Sequence, residues 1–279
     1  MAIITLSWQL GCLGDLVADE AANQLGYKVF GKPEIDALIA QHDVQLSKGT
    51  GDDKFVQAAG EEIQPEAFER LRRNHTTYVH LLTSSIYHIA SQDQAVIKGH
   101  GAQIVLAHQA HVLRIRLTGS FDFRVSKARE QQHLSQSAAE ELVRKDDRER
   151  MGLIRYLFQD DSSNQNWYDM RIDVEKFAVN GIAETIVSAA RALEAHSPTT
   201  EDDRSGLGAL ALANLVKAVL HKEMPFLSNA EVIASTGGIV TIYGNVALLK
   251  EKDRVERRIR SLPKVSDVVN NIKVLSLLT

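Results

Sequence analysis

One stretch constrains this chain more than any other. An apolar run from Ile3 meets a turn bearing Gly11 and Gly14, and the turn opens onto a helical pattern of Leu16, Val17, Ala21 and Leu25 closed by Gly26. A strand, a glycine turn and a helix in that order start an α/β fold. They also make an anion cradle, because the loop's N–H groups point inward and the helix start carries partial positive charge. Such a loop ordinarily finishes with a lysine that bridges the outer phosphates, then a serine or threonine for magnesium. Here Gly14 is followed by Asp15 and Leu16. The residues alone leave two readings open, a phosphate loop or an ordinary strand-to-helix corner.

The alternation continues downstream. "QAVIKG" and "HVLRIRLTG" read as further strands, the second with Leu113, Ile115 and Leu117 on one face and Arg114 and Arg116 on the other. Helical patterns fill Pro65 to Ser91, Phe121 to Phe158 and Glu175 to Ala195. Strands separated by helices predict a parallel sheet with helical layers. The polar, glycine-bearing stretch from His42 to Gly60 reads as a mobile loop. "EAHSPTTEDDRSG", residues 194–206, is polar and broken by Pro198 and Gly206, so a linker is expected there. It divides a domain at 1–193 from one at 207–279. The second follows the order α-β-β-α-β, with two strands about a Gly237-Gly238 turn, and reads as a small α+β unit.

Composition removes several function classes. Hydrophobic residues at 44% allow a buried core, and a net charge of -4 gives no basic footprint for nucleic acid. No apolar run reaches the roughly 18 residues needed to cross a membrane. The N-terminus lacks the charged and apolar regions of a signal peptide. Cys12 is the single cysteine, which fits a reducing compartment, and a cytoplasmic location is expected. At the loop, that thiol is either a reactive group at a helix start or a small buried residue. His108 and His111 have helical metal spacing, but no carboxylate or cysteine set completes a ligand shell, so no metal site is expected.

Several segments carry a resemblance. "SWQLGCLG" followed by "VADEAANQLGYKVFGKPEID", then "AVIKGHGAQIVL", "VLRIRLTGSFDFRVSKARE", "KDDRERMGLIRYLF" and "WYDMRIDVEKF" are collinear over residues 1–193. They resemble the cytidylate-kinase-like family of P-loop nucleoside monophosphate kinases. The resemblance implies a P-loop kinase-like parallel sheet flanked by helices, and ATP-dependent phosphoryl transfer to a CMP-like acceptor with Mg2+. It places ATP against Ser7, Gln9, Gly11, Cys12, Leu13, Gly14 and Asp15, and the acceptor near Gly99, His100 and Gly101. Arg124, Asp147, Arg148 and Arg150 take the lid and catalytic positions, with Arg144 and Arg155 nearby. The residues alone also allow that helix to be a solvated face with i,i+4 pairs such as Asp146 to Arg150.

The departures bear on activity. Trp8 stands where the family usually has arginine, Leu13 replaces a loop glycine, Asp15 takes a position often basic, and His100 replaces an arginine. Each lost electrostatic donor costs roughly 2.7 to 4 kcal/mol of transition-state stabilisation. Asp15 would also repel a triphosphate at close range. Weak or lost transfer is therefore expected, with binding surviving better than catalysis.

"ALANLVKAVLHKE", "VIASTGGIVTIYGNV" and "RVERRIRSLPKVSDVVNNIKV" resemble a BON domain, a bacterial family associated with phospholipid and other hydrophobic surfaces. Arg254, Arg257, Arg258 and Arg260 would be its headgroup contacts, unless Glu251, Asp253 and Glu256 make this a solvated helix. The alternative to an enzyme is a non-catalytic nucleotide or anion sensor, or an adaptor, acting through this domain on a lipid or protein partner.

Overall fold

The computed structural model describes residues 2–42, 65–159, 164–227 and 229–275; the stretch 43–60 of the expected loop lies outside the described residues. In chain order the elements are β1 (Ile3–Trp8), α1 (Gly14–Leu25), β2 (Lys28–Phe30), α2 (Lys32–Gln41), α3 (Pro65–Ser91), β3 (Ala95–Lys98) and α4 (Ala102–Val105). Next come β4 (Val112–Thr118), α5 (Phe121–Gln132), α6 (Gln136–Phe158), β5 (Met170–Asp173) and α7 (Val179–His196). The chain ends with α8 (Glu201–Glu223), β6 (Glu231–Ala234), β7 (Ile239–Val246), α9 (Leu249–Arg260) and β8 (Asp267–Val274). They gather into two compact units, Met1–Glu34 with Gln92–Thr200, and Ile35–Ser91 with Glu201–Thr279.

The first unit holds the expected parallel sheet, in the order β2-β3-β1-β4-β5. Ile3, Ile4, Thr5 and Leu6 are buried in succession, the signature of a central strand covered on both faces. Val17, Ala18 and Ala21 of α1 and Ile182, Ala183 and Ile186 of α7 share a core with Ile4 and Leu6 of β1 and Ile115 and Leu117 of β4. Gly26 closes α1 in a left-handed turn, as its position in the sequence implies.

The second unit contains the α-β-β-α-β order. β6 and β7 are antiparallel around a turn at Gly238, and β8 lies parallel to β7 after the α9 crossover. Val232, Val240, Ile242, Val268 and Ile272 are buried with Val255 and Ile259 of α9, whereas Ile233, Ile239, Tyr243 and Val269 stand exposed.

Two features differ from the sequence reading. The expected linker, 194–206, is mostly helix: α7 continues to His196 and α8 begins at Glu201. Pro198 disfavours helical geometry at Ser197 and ends α7, while Glu201, Asp202 and Asp203 suit the positive start of α8. A run that looks like an acidic linker is a helix N-terminus. Second, α3 lies within the span 1–193 but belongs to the second compact unit, where it packs along α8. Ser84 Oγ donates to the Ala211 carbonyl at 2.8 Å, and His80 Nδ1 lies 3.3 Å from Asn214 Oδ1.

Candidate functional site

The C-terminal ends of β1, β3 and β4 bring three turns together, because β1 pairs with β3 on one side and β4 on the other. Strand order reverses at β1, and in open α/β sheets ligands bind outside the strand ends at such a point. β1 runs into the loop Gln9–Leu13, β3 into Gly99–Gly101, and β4 into Gly119 and Ser120.

The first loop is tightly held. Cys12 N–H donates to the Gln9 carbonyl at 3.0 Å. Gly11 adopts φ +88°, and a Cβ there would lie 2.5 Å from the Arg124 carbonyl oxygen, so only glycine fits. Leu13 is left-handed at φ 56° and gives α1 no side-chain cap. Cys12 is fully buried, and burial pushes its thiol up to about 11 against the opposing charge of Arg124. Of its two readings, the small buried residue matches this environment. Ser7 and Gln9 are half-buried.

Trp8 lies over Gly14 so closely that a methyl group at Gly14 would overlap the indole. The side chain replacing the expected arginine is therefore packed onto the loop. Asp15, placed by the resemblance against ATP, has a partner: Lys98 Nζ lies 2.8 Å from its carboxylate and 3.6 Å from that of Asp19. Burial works to lower the Lys98 pKa, but the hydrogen bond and charge of Asp15, with those of Asp19, outweigh it and hold the value above the ordinary lysine range. The sequence reading did not single out Lys98. Its only local signal is its place at the end of a strand, immediately before Gly99.

Gly99, His100 and Gly101 are left-handed in succession, with φ of 69°, 57° and 70°. Gly99 N–H donates to the Leu6 carbonyl at 2.9 Å, tying this turn to β1. His100 Nδ1 lies 3.0 Å from the Lys98 carbonyl, so the ring is turned to the backbone of its own turn.

Arg124 and Asp147 come together from α5 and α6. The guanidinium grips the carboxylate through two bonds of 2.9 Å, with the Arg124 side chain only 6% exposed. Arg144 stacks 4.3 Å from the centre of the Phe121 ring. Arg150 bonds Asp146 at 2.6 Å in the i,i+4 pair that the sequence allows, and Arg148 is exposed. Arg114 forks onto Asp169, and Arg116 reaches the Tyr168 hydroxyl at 3.0 Å, so both join β4 to the segment entering β5. Tyr168 is buried.

A phosphate chain fits the uncapped start of α1 chemically. Magnesium does not fit at the position after Asp15 as it does in a phosphate loop, because Leu16 offers no side-chain hydroxyl there. Among the described residues no group of three or more His, Cys, Asp or Glu could hold a metal ion, His108 and His111 included. In the second unit, Arg258 forks onto Glu223 with both bonds at 2.8 Å, and Arg260 bonds Glu256 and Asp267. Two of the four arginines named for a headgroup surface are thus held within the unit. Arg254 and Arg257 are exposed. Among the described residues no helix is long and apolar enough to cross a membrane.

No curated protein matches the sequence. Among solved structures, an uncharacterized protein from Eubacterium ventriosum is 18% identical, with 68% of this chain and 98% of that chain covered and a TM-score of 0.52. A gluconokinase from Sinorhizobium meliloti is 11% identical over 70% of this chain and 94% of its own, at a TM-score of 0.41. A shikimate kinase from Bacteroides thetaiotaomicron is 11% identical over 68% and 98%, at a TM-score of 0.40. The sequence also matches the BON domain over residues 210–276, which spans the second unit's sheet and most of α8. Residues 3–176, from the first residue of β1 to just beyond the end of β5, match the cytidylate kinase-like family, and the chain belongs to that family.

Proposed function

We propose that this is a nucleotide-binding protein of kinase fold in which phosphoryl transfer from ATP to a CMP-like acceptor is weak or lost. The observation that carries the binding half is the start of α1. Leu13 supplies no side-chain cap, so the first N–H groups of the helix keep their capacity for an anion, and the helix dipole favours one. The weakness of transfer follows from the cations. Trp8 packs on Gly14, the His100 ring is turned to a carbonyl, and Arg124 is closed onto Asp147. Arginine accelerates phosphoryl transfer only when its charge reaches the transferring group.

Calorimetry of the full chain with ATP, CMP and both together tests the reading. ATP binding with little turnover is expected. Turnover in the ordinary kinase range of about 1 to 100 per second would overturn the loss of transfer. Trp8→Arg with His100→Arg should raise any measured rate, by roughly a hundredfold to a thousandfold for each donor restored.

A second reading, a sensor or adaptor whose output runs through the BON domain, is favoured by one observation. Ile233, Ile239, Tyr243 and Val269 form an exposed apolar face on that domain's sheet. Flotation with vesicles of anionic and of zwitterionic phospholipid separates a lipid partner from a protein one. With Arg258 and Arg260 engaged elsewhere, Arg254 and Arg257 would contribute about 1 kcal/mol each at an anionic surface.

A further inference from the structure

Lys98 and Asp15 stand in transposed places. A phosphate loop carries its lysine immediately after the last glycine, and here that position is Asp15. A lysine nevertheless arrives at the same spot, delivered by the end of β3 and seated 2.8 Å from the Asp15 carboxylate. We propose that Lys98 is the phosphate-binding lysine of this chain, meeting the phosphate groups of a nucleotide at the start of α1 in place of the missing loop lysine. The inference rests on the nucleotide-binding reading above.

The asymmetry of the pair favours this role. The Lys98 side chain is 19% exposed and passes beside Gly31, where a Cβ would stand 3.3 Å from its Cε. The Asp15 side chain is 67% exposed and has room to swing away. An arriving phosphate exchanges one anion for another on an ammonium already in place, and the departing carboxylate returns to water. The pair also brings together residues 83 positions apart in sequence, unlike the i,i+4 pairs that decorate a helix surface. The end of β3, with Lys98 opposite Leu6 of β1, delivers the lysine to the first turn of α1. Asp19, at 3.6 Å, keeps a second carboxylate beside the ammonium while Asp15 is displaced.

The competing account is that Lys98 only neutralises Asp15. A double-mutant cycle with ATP as the probe separates the two, using Lys98→Met, which keeps the stem, Asp15→Asn and the double variant. If Lys98 meets phosphate, Lys98→Met weakens ATP binding about tenfold or more even in the Asp15→Asn background, the scale of one charge-assisted hydrogen bond. Adenosine, which has no phosphate, should then bind all four proteins alike. Asp15→Asn alone should tighten ATP binding by removing the competitor. Reductive methylation gives a readout without substitution: ATP, and not adenosine, should shield Lys98. If ATP binds the Asp15→Asn protein and Lys98→Met changes nothing there, Lys98 is only a neutralising partner and the nucleotide reading stands. If neither the wild type nor the Asp15→Asn protein binds ATP, the nucleotide reading fails and takes the inference with it.

Discussion

The two sheets of this protein treat their surfaces differently. The five-stranded parallel sheet has its central strand covered on both faces, and Ile3, Ile4, Thr5 and Leu6 leave no residue for solvent. The three-stranded sheet covers one face with helices and leaves Ile233, Ile239, Tyr243 and Val269 in the open. The first arrangement fixes the strand ends from both sides. The backbone of the Gly11–Gly14 loop can therefore keep its shape although Trp8, Leu13 and Asp15 all depart from the family pattern. The second arrangement leaves a face whose residues are not dictated by the fold, and such a face is free to suit a partner.

Substitutions test that difference, most severely in the double-covered sheet. Ile115→Ala in β4 should cost about 2 to 5 kcal/mol in denaturant unfolding. Trp8 and Trp167 are the only tryptophans, so their fluorescence reports on the first unit alone. A loss under about 1 kcal/mol would break the comparison.

Acid should act on the other unit. Burial pushes His80 of α3 down to about 4, against the hydrogen bond to Asn214, with Lys217 and His221 lowering it further. Its folded value lies below the ordinary histidine value, so its contribution is fully present above about pH 6.5. It is lost as pH falls toward 4, because the unfolded chain takes up the proton first. The loss should approach about 3 kcal/mol at the acid end. Circular dichroism should therefore show lost helix before tryptophan fluorescence changes, and His80→Gln should flatten this pH dependence. Simultaneous change in both signals would contradict it.

Gly11→Ala probes how rigidly the loop is held. With φ at +88° and the Arg124 carbonyl in the way, the penalty should be about 1 to 3 kcal/mol. ATP affinity should fall with it, since the loop must shift. The smallest effect belongs to the open face, where Tyr243→Ser and Ile233→Thr should each stay within about 0.5 kcal/mol by thermal melting. A larger cost would mean that the face is covered in solution.

The sequence made much of this architecture legible, because β1, β3, β4 and α1 carry their patterns locally and Gly26 marks its own helix end. β2 escaped it: Lys28–Phe30 is only three residues, none of them buried. The start of α8 was obscured because acids at a helix N-terminus and acids in a linker share one composition. At the site, Arg124 and Asp147 were both visible as lid residues. Their mutual grip was not, since it depends on how α5 meets α6. Lys98 was hidden for the same reason. Its meaning comes from the carboxylate that the first turn of α1 sets beside it, and no window of sequence contains both.

The pairing of α3 with α8 has a consequence in time. The ribosome completes α3 at Ser91 and reaches Glu201 only about 110 residues later, a delay of roughly 5 to 20 s at ordinary translation speeds. Throughout that interval Leu81, Leu82, Ile86 and Ile89 have no α8 to cover them, although all four are fully buried at the end. The growing chain must carry an unfinished helical interface past the completion of its entire parallel sheet. A chain halted at residue 200 would keep that interface open permanently, and its solubility should suffer even though the Gly11–Gly14 loop is already complete.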